Sequence, residues 1–138
     1  MTLMELKSRV LFQYNADEDD LDEYEPAITG YINDGYDQLL DALLERHTGP
    51  SPFPVLEFEA DVPKLPDWTH SAIADYATWL CYRNGNQQKQ YRGQRFLESF
   101  MEMLSKLKSL RGSASYDSDT GEATISEGEY PQFFNVYP

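Results

Sequence analysis

Apolar residues recur at helical spacing in four separate stretches of this chain. Leu3, Leu6 and Val10 follow Thr2-Leu3-Met4-Glu5, a capping box in which hydroxyl and carboxylate satisfy free amides, and they predict a first helix over residues 3–14. Ile28, Ile32, Leu39, Leu40, Leu43 and Leu44 predict a second, with Pro26 in its first turn and an end near Glu45. Gly30 and Gly35 each weaken that helix by about 1 kcal/mol relative to Ala, which points to close packing against a neighbour at both positions. A third helix over 67–83 takes Asp67 as its N-cap. Trp68, Ala72, Ile73, Tyr76, Ala77, Trp79 and Leu80 make it apolar around much of its circumference, so it is expected to be central, with Cys81 a small core residue. After Asn84-Gly85-Asn86 breaks the chain, a fourth helix from about Gln87 to Leu110 carries a stripe of Phe96, Leu97, Phe100, Met101, Leu104 and Leu107.

Between the second and third helices, Pro50, Pro52, Pro54, Pro63 and Pro66 forbid helix and predict a long, mostly extended connection. Past Gly112 the composition shifts to Gly, Ser, Thr, Asp and Glu, and Ala114-Ser115-Tyr116 and Ala123-Thr124-Ile125 read as the strands of a short hairpin. The chain closes on Tyr130, Phe133, Phe134 and Tyr137 between two prolines, a segment with too few neighbours to form a core, which must dock on its own domain or on a partner. The pattern thus predicts a mainly α fold. A helical domain of about four helices covers 1–111, and an extended C-terminal arm with a small β-hairpin covers 112–138.

Charge sharpens this picture. Of the 138 residues, 24 are acidic and 11 basic, a net charge of −13 that disfavours non-specific binding to a phosphate backbone. Residues 1–62 hold fifteen acidic and three basic side chains, and residues 83–111 hold seven basic and two acidic. Asp17, Glu18, Asp19, Asp20, Asp22, Glu23 and Glu25 crowd into nine positions; they repel one another unless solvated or near a helix N-terminus, and read as a solvated loop entering the second helix. On the fourth helix, Lys89, Arg92, Arg95, Lys106, Lys108 and Arg111 are expected opposite the core stripe. Complementary ends on identical subunits allow head-to-tail contacts that close into rings, with Arg92, Arg95, Lys106 and Lys108 at the subunit interface. Cancellation of part of the imbalance inside the bundle is the competing reading.

Candidate chemistry is sparse. Cys81 has no disulfide partner, and with His47 and His70 alone beside it a closed zinc site is nearly excluded, which fits a reducing cytoplasm. The N-terminus breaks its apolar pattern with Glu5, Lys7 and Arg9, so no export signal is expected, nor any membrane span. The acidic runs lack the glycine and terminal glutamate that a calcium loop needs. His70 stands at no recognisable spacing from a nucleophile and reads as a satisfied or exposed histidine. No nucleotide-binding, metalloprotease or serine-hydrolase motif is present, so no catalytic residue, metal or cofactor is assigned and the chain is not expected to be an enzyme.

One order of features carries a resemblance. Ile28-Thr29-Gly30-Tyr31-Ile32-Asn33-Asp34-Gly35-Tyr36 lies on an early helix, and the proline-rich connection follows. Leu65-Pro66-Asp67-Trp68 and Ala72-Ile73-Ala74-Asp75-Tyr76-Ala77 open a later helix, and Tyr91 through Phe96 to Leu107 continue the pattern. Over about residues 3–110 this resembles the head-to-tail connector (adaptor) proteins of tailed bacteriophages. The resemblance implies a structural virion protein, assembled in the host cytoplasm and located in the neck. It would form a homo-oligomeric ring, in this family usually of twelve, between the portal protein and a tail or stopper protein, with DNA passing through the channel unread. In that setting Tyr130, Phe133, Phe134 and Tyr137 would dock on the portal, and Asp17–Glu25 would line an acidic channel or interface. The alternative from the residues is an acidic DNA mimic that blocks a host nuclease or another basic nucleic-acid-binding protein.

Overall fold

The computed structural model describes residues 1–14, 21–44, 55–83, 87–111, 114–117 and 122–125. Asp17–Asp20, the Asn84-Gly85-Asn86 break and the aromatic terminus at Tyr130, Phe133, Phe134 and Tyr137 lie outside those residues. The protein is mainly helical: α1 (Leu3–Tyr14), α2 (Leu21–Leu44), α3 (His70–Arg83) after a single 3-10 turn (Asp67–Thr69), and α4 (Gln87–Ser109). A two-stranded antiparallel hairpin follows, β1 (Ala114–Asp117) with β2 (Glu122–Ile125), in the register Ala114 to Ile125 through Asp117 to Glu122.

The capping box of α1 is formed in both directions. The Thr2 N–H donates to Glu5 Oε1 at 3.0 Å, and the Glu5 N–H donates to Thr2 Oγ1 at 3.2 Å. Those hydrogen bonds hold the exposed Glu5 carboxyl below its usual range. Helix α2 begins five residues before Pro26, which therefore sits in its second turn and not its first. Asp22, Glu23 and Glu25, which belong to the run read as a loop, thus fall within the first five residues of α2.

Helices α2 and α3 each pack on the other three, whereas α1 and α4 pack chiefly on these two. Helices α1 and α4 approach each other at the C-terminal end of α1, where Lys89 lies over the Tyr14 ring, 5.9 Å from its centroid. As expected, α3 is central, but its core contribution comes from Ala72, Ile73, Ala74, Ala77 and Leu80. Trp68 is exposed and Trp79 and Cys81 are half-buried, because the small residues of α3 let its neighbours close in and leave the bulky ones at the margins. The closest approach is at Gly93 of α4, where a Cβ would lie 2.6 Å from Tyr82 Cβ. At Gly35 of α2 a Cβ would lie 3.1 Å from Tyr76 Cδ2, but Gly30 faces open space, so the packing reason holds for one of the two α2 glycines. The inward row of α4 is Gly93, Phe96, Phe100, Met103, Leu107 and Leu110, stepping by three and four residues. Met101 falls off that row and is exposed, which corrects its place in the expected stripe.

Asp67 makes no cap. Pro66 is the extended residue before the 3-10 turn, and its carbonyl takes both the Thr69 N–H at 3.0 Å and the Thr69 hydroxyl at 2.7 Å. The proline-rich connection is described from Val55 to Pro66, and there it is a strap tied to every neighbour. The Asn33 side chain accepts the Leu56 N–H at 2.8 Å and donates to the Leu56 carbonyl at 3.0 Å, as a strand partner would. The Asp61 and Glu59 carbonyls accept the free Leu3 and Met4 amides of α1 at 2.7 and 3.1 Å. The Lys64 N–H donates to the Tyr36 hydroxyl at 2.9 Å, and the Lys64 carbonyl accepts the Ala123 N–H at 3.0 Å. Through that last bond, and through buried Ala123, the hairpin is folded onto the helical body. Residues 114–117 and 122–125 are thus part of the body, not a tether.

Candidate interaction surfaces

A polar seam runs between α1, α3 and α4. Gln13 Nε2 donates to Asp75 Oδ1 at 3.1 Å, the Thr78 hydroxyl lies 2.7 Å from Gln13 Oε1, and the Ser99 hydroxyl donates to Asp75 Oδ2 at 3.0 Å. Each oxygen and amide in it has a partner, so the seam fixes helix register. Among the described residues no buried side-chain nitrogen or oxygen lacks a hydrogen bond.

His70 is fully buried at the start of α3. The amino group of Met1 donates to Nδ1 at 2.8 Å, which leaves Nε2 to donate to the Leu65 carbonyl at 2.9 Å. Burial holds this imidazole below the ordinary histidine range; the nearby ammonium acts in the same direction, and the Leu65 carbonyl and Asp67 oppose it. Both ring nitrogens are engaged, so the satisfied histidine expected from the sequence is what the fold contains. Burial pushes the Cys81 thiol up to about 11, which leaves it protonated and a poor nucleophile at neutral pH.

Two open depressions flank the strap. One, about 470 Å³, is bounded by residues including Asp61, Lys64, Asp67 and Glu122; the other, about 250 Å³, by Tyr36, Leu56 and Val62 among others. Among the described residues no group of three His, Cys, Asp or Glu side chains is arranged to hold a metal ion, and no helix is long and apolar enough to cross a membrane.

The charged surface lies on α4. Arg92, Arg95, Lys106 and Lys108 are all exposed. By helical angle, Arg92, Arg95 and Lys106 share one flank and Lys108 turns to the other, so the expected single face divides. Arg95 lies over the Phe96 ring at 4.7 Å and Lys106 over the Trp68 ring at 4.6 Å, contacts that hold both cations against the body. Arg111 does not join that face. Its Nε donates to the Ala42 carbonyl at 2.6 Å, and it thereby caps the C-terminus of α2 with a cation. In the acidic segment, Asp22, Glu23 and Glu25 open α2.

Sequence reasoning missed an apolar surface. Phe58 on the strap is 70% exposed, Met4 and Phe12 on α1 are 56% and 83% exposed, and Tyr91 and Met101 on α4 are 84% and 52% exposed. Phe58 stands on a rigid turn: Asp61 Oδ2 accepts the Glu57 and Phe58 amides at 2.8 Å each, and the Asp61 N–H returns to the Phe58 carbonyl at 2.9 Å. The two amides hold the Asp61 carboxyl below its usual range. The available signal was an aromatic residue set between Glu57 and Glu59 with an aspartate three positions on.

No protein family, curated protein or solved structure matches this chain.

Proposed function

We propose that this protein is a head-to-tail connector of a tailed bacteriophage, a subunit of a ring that extends the DNA channel between portal and tail. The observation that carries the reading is the arrangement of charge and exposed apolar side chains on a small helical bundle. The strap carries Glu57, Glu59 and Asp61 against Lys64 and bonds to the N-terminal end of α1, while exposed Arg92, Arg95 and Lys106 form a cationic flank of α4. Subunits built this way meet heterologously, and such contacts close when the rotation between subunits allows. Further support comes from the segments that carry the resemblance, which pack on each other: Gly35 abuts Tyr76 and Ile73, and Tyr36 holds the strap just before Leu65. An acidic lumen would repel DNA and let it slide, while the basic flank would hold acidic neighbours.

A DNA mimic calls for carboxylates across one outer face at phosphate-like spacing, which the exposed Arg92, Arg95 and Lys106 of α4 do not suit. The deciding experiment is negative-stain imaging of the protein mixed with portal-bearing particles. Added density in a ring below the portal supports the connector. A monomer or dimer that ignores the particles and binds a basic nuclease instead overturns it.

A further inference from the structure

We propose that Phe58 and its acidic surround form a knob that docks on the exposed N-terminal half of α4, around Tyr91, Arg92 and Arg95, of a second copy of this chain. This names the contact within the ring reading and rests on self-assembly of the chain.

Three features of the knob point to an interface. Phe58 is a large aromatic side chain exposed on a turn already locked by Asp61, so little conformational entropy is lost when it docks. The Met4 N–H bonds to the Glu59 carbonyl, which sets exposed Met4 beside the same turn and widens the apolar surface. Glu5, Glu57 and Glu59, all exposed, give this surface an acidic rim. An aromatic anchor inside a polar rim is the usual make-up of a binding hot spot.

The receiving surface has the complementary composition. Tyr91 is exposed in the N-terminal half of α4, where Lys89, Arg92 and Arg95 are exposed beside it and no acidic side chain occurs before Glu98. One subunit does not join its own two surfaces, because the Phe58 turn bonds to Leu3 and Met4 at the N-terminal end of α1, whereas α4 meets α1 at its C-terminal end, with Lys89 over the Tyr14 ring, about 15 Å further along the helix. A second copy satisfies both at once, with acid meeting base and each subunit using one knob and one receiver.

The test uses the full chain in sedimentation velocity at low salt, over a concentration series. Glu57→Lys with Glu59→Lys makes the knob basic, and Arg92→Glu with Arg95→Glu makes the receiver acidic. Each double variant alone is expected to need at least tenfold more protein to assemble than the wild type. Mixed in equal amounts they are expected to assemble again, because each basic knob then meets an acidic receiver and each acidic knob a basic one. Phe58→Ser, which leaves every charge and turn amide in place, is expected to weaken assembly with an unchanged far-ultraviolet circular dichroism melt. A wild type that stays monomeric throughout, double variants that assemble like the wild type, or a mixture that fails to recover each overturn the proposal. In the last two outcomes a ring that still attaches to portal-bearing particles leaves the connector reading standing, with its contacts elsewhere.

Discussion

Glycines on α2 and α4 show how far one missing Cβ can shape this bundle. At Gly93 an added methyl group meets the Cβ of Tyr82, an atom that moves only with the α3 backbone, so α4 has to withdraw from the buried stack of Tyr82 on Phe96. Gly93→Ala should therefore destabilise the protein by about 1–3 kcal/mol, in the range of core overpacking and against a helix-propensity gain near 1 kcal/mol. Gly30→Ala meets nothing and should stabilise by about 0.5–1 kcal/mol, so opposite shifts of the urea midpoint are expected from the same substitution at two helical positions. His70 supplies the pH dependence. Its folded pKa lies below the ordinary 6.5, so as pH falls through that value the unfolded chain takes up a proton that the folded one does not. Stability is complete above about pH 6.5 and declines below it, ahead of the loss from carboxylates such as Glu5 and Asp61, which comes at lower pH. His70→Gln keeps one donor and one acceptor without the titration, so its unfolding free energy should change less between pH 7 and about 5.5 than that of the wild type. Equal pH slopes for the two proteins would show that His70 is not the group responsible.

The strap is where element-scale reading of the sequence stopped. Helical periodicity located all four helices, because the inward face of each is a local property, and the capping box and hairpin were legible for the same reason. The anchoring of Val55–Pro66 was not, since it depends on single side chains of distant elements, Asn33 and Tyr36 on α2 and His70 on α3, that bond to strap backbone. Prolines say only that a segment is not helical; they do not say what it is tied to. Arg111 escaped for a related reason: charge alone assigned it to the basic face, whereas its reach to the α2 carbonyls follows from how α4 ends against α2. Part of the candidate knob was hidden in the same stretch, because the apolar neighbours of Phe58 at both spacings, Val55, Leu56 and Val62, do not tell which of them face the body and which face out. Asn33→Ala tests the strap directly. It removes both bonds to Leu56 and leaves that backbone amide and carbonyl without partners, which should lower stability by about 2–3 kcal/mol. Hydrogen exchange should show lost protection centred on Leu56 while α4 amides keep theirs; uniform loss across the molecule would mean that Asn33 supports the whole bundle and not the strap.

At the scale of the whole molecule, the docked hairpin resets the reach of the C-terminus. An eighteen-residue tether from Gly112 to Glu129 would span up to about 60 Å, but Ala123 is pinned to the strap, so only the thirteen residues after Ile125 can leave the body, and they extend about 45 Å at most. That distance still exceeds the diameter of a small domain and suffices to reach a neighbouring protein. Tyr130, Phe133, Phe134 and Tyr137 can each bury a large apolar area, and truncating an anchoring aromatic typically weakens binding by about 2 kcal/mol or more. If these residues bind the portal, deleting 130–138 should leave the thermal midpoint of the isolated subunit unchanged and abolish attachment to portal-bearing heads. If they instead cover their own subunit, the same deletion should lower the midpoint by several degrees, as expected when a domain of this size loses about 1–2 kcal/mol of burial. Calorimetry and a particle co-sedimentation assay on one truncated protein separate the two, and a truncated chain that attaches with wild-type affinity would remove the docking role from this segment.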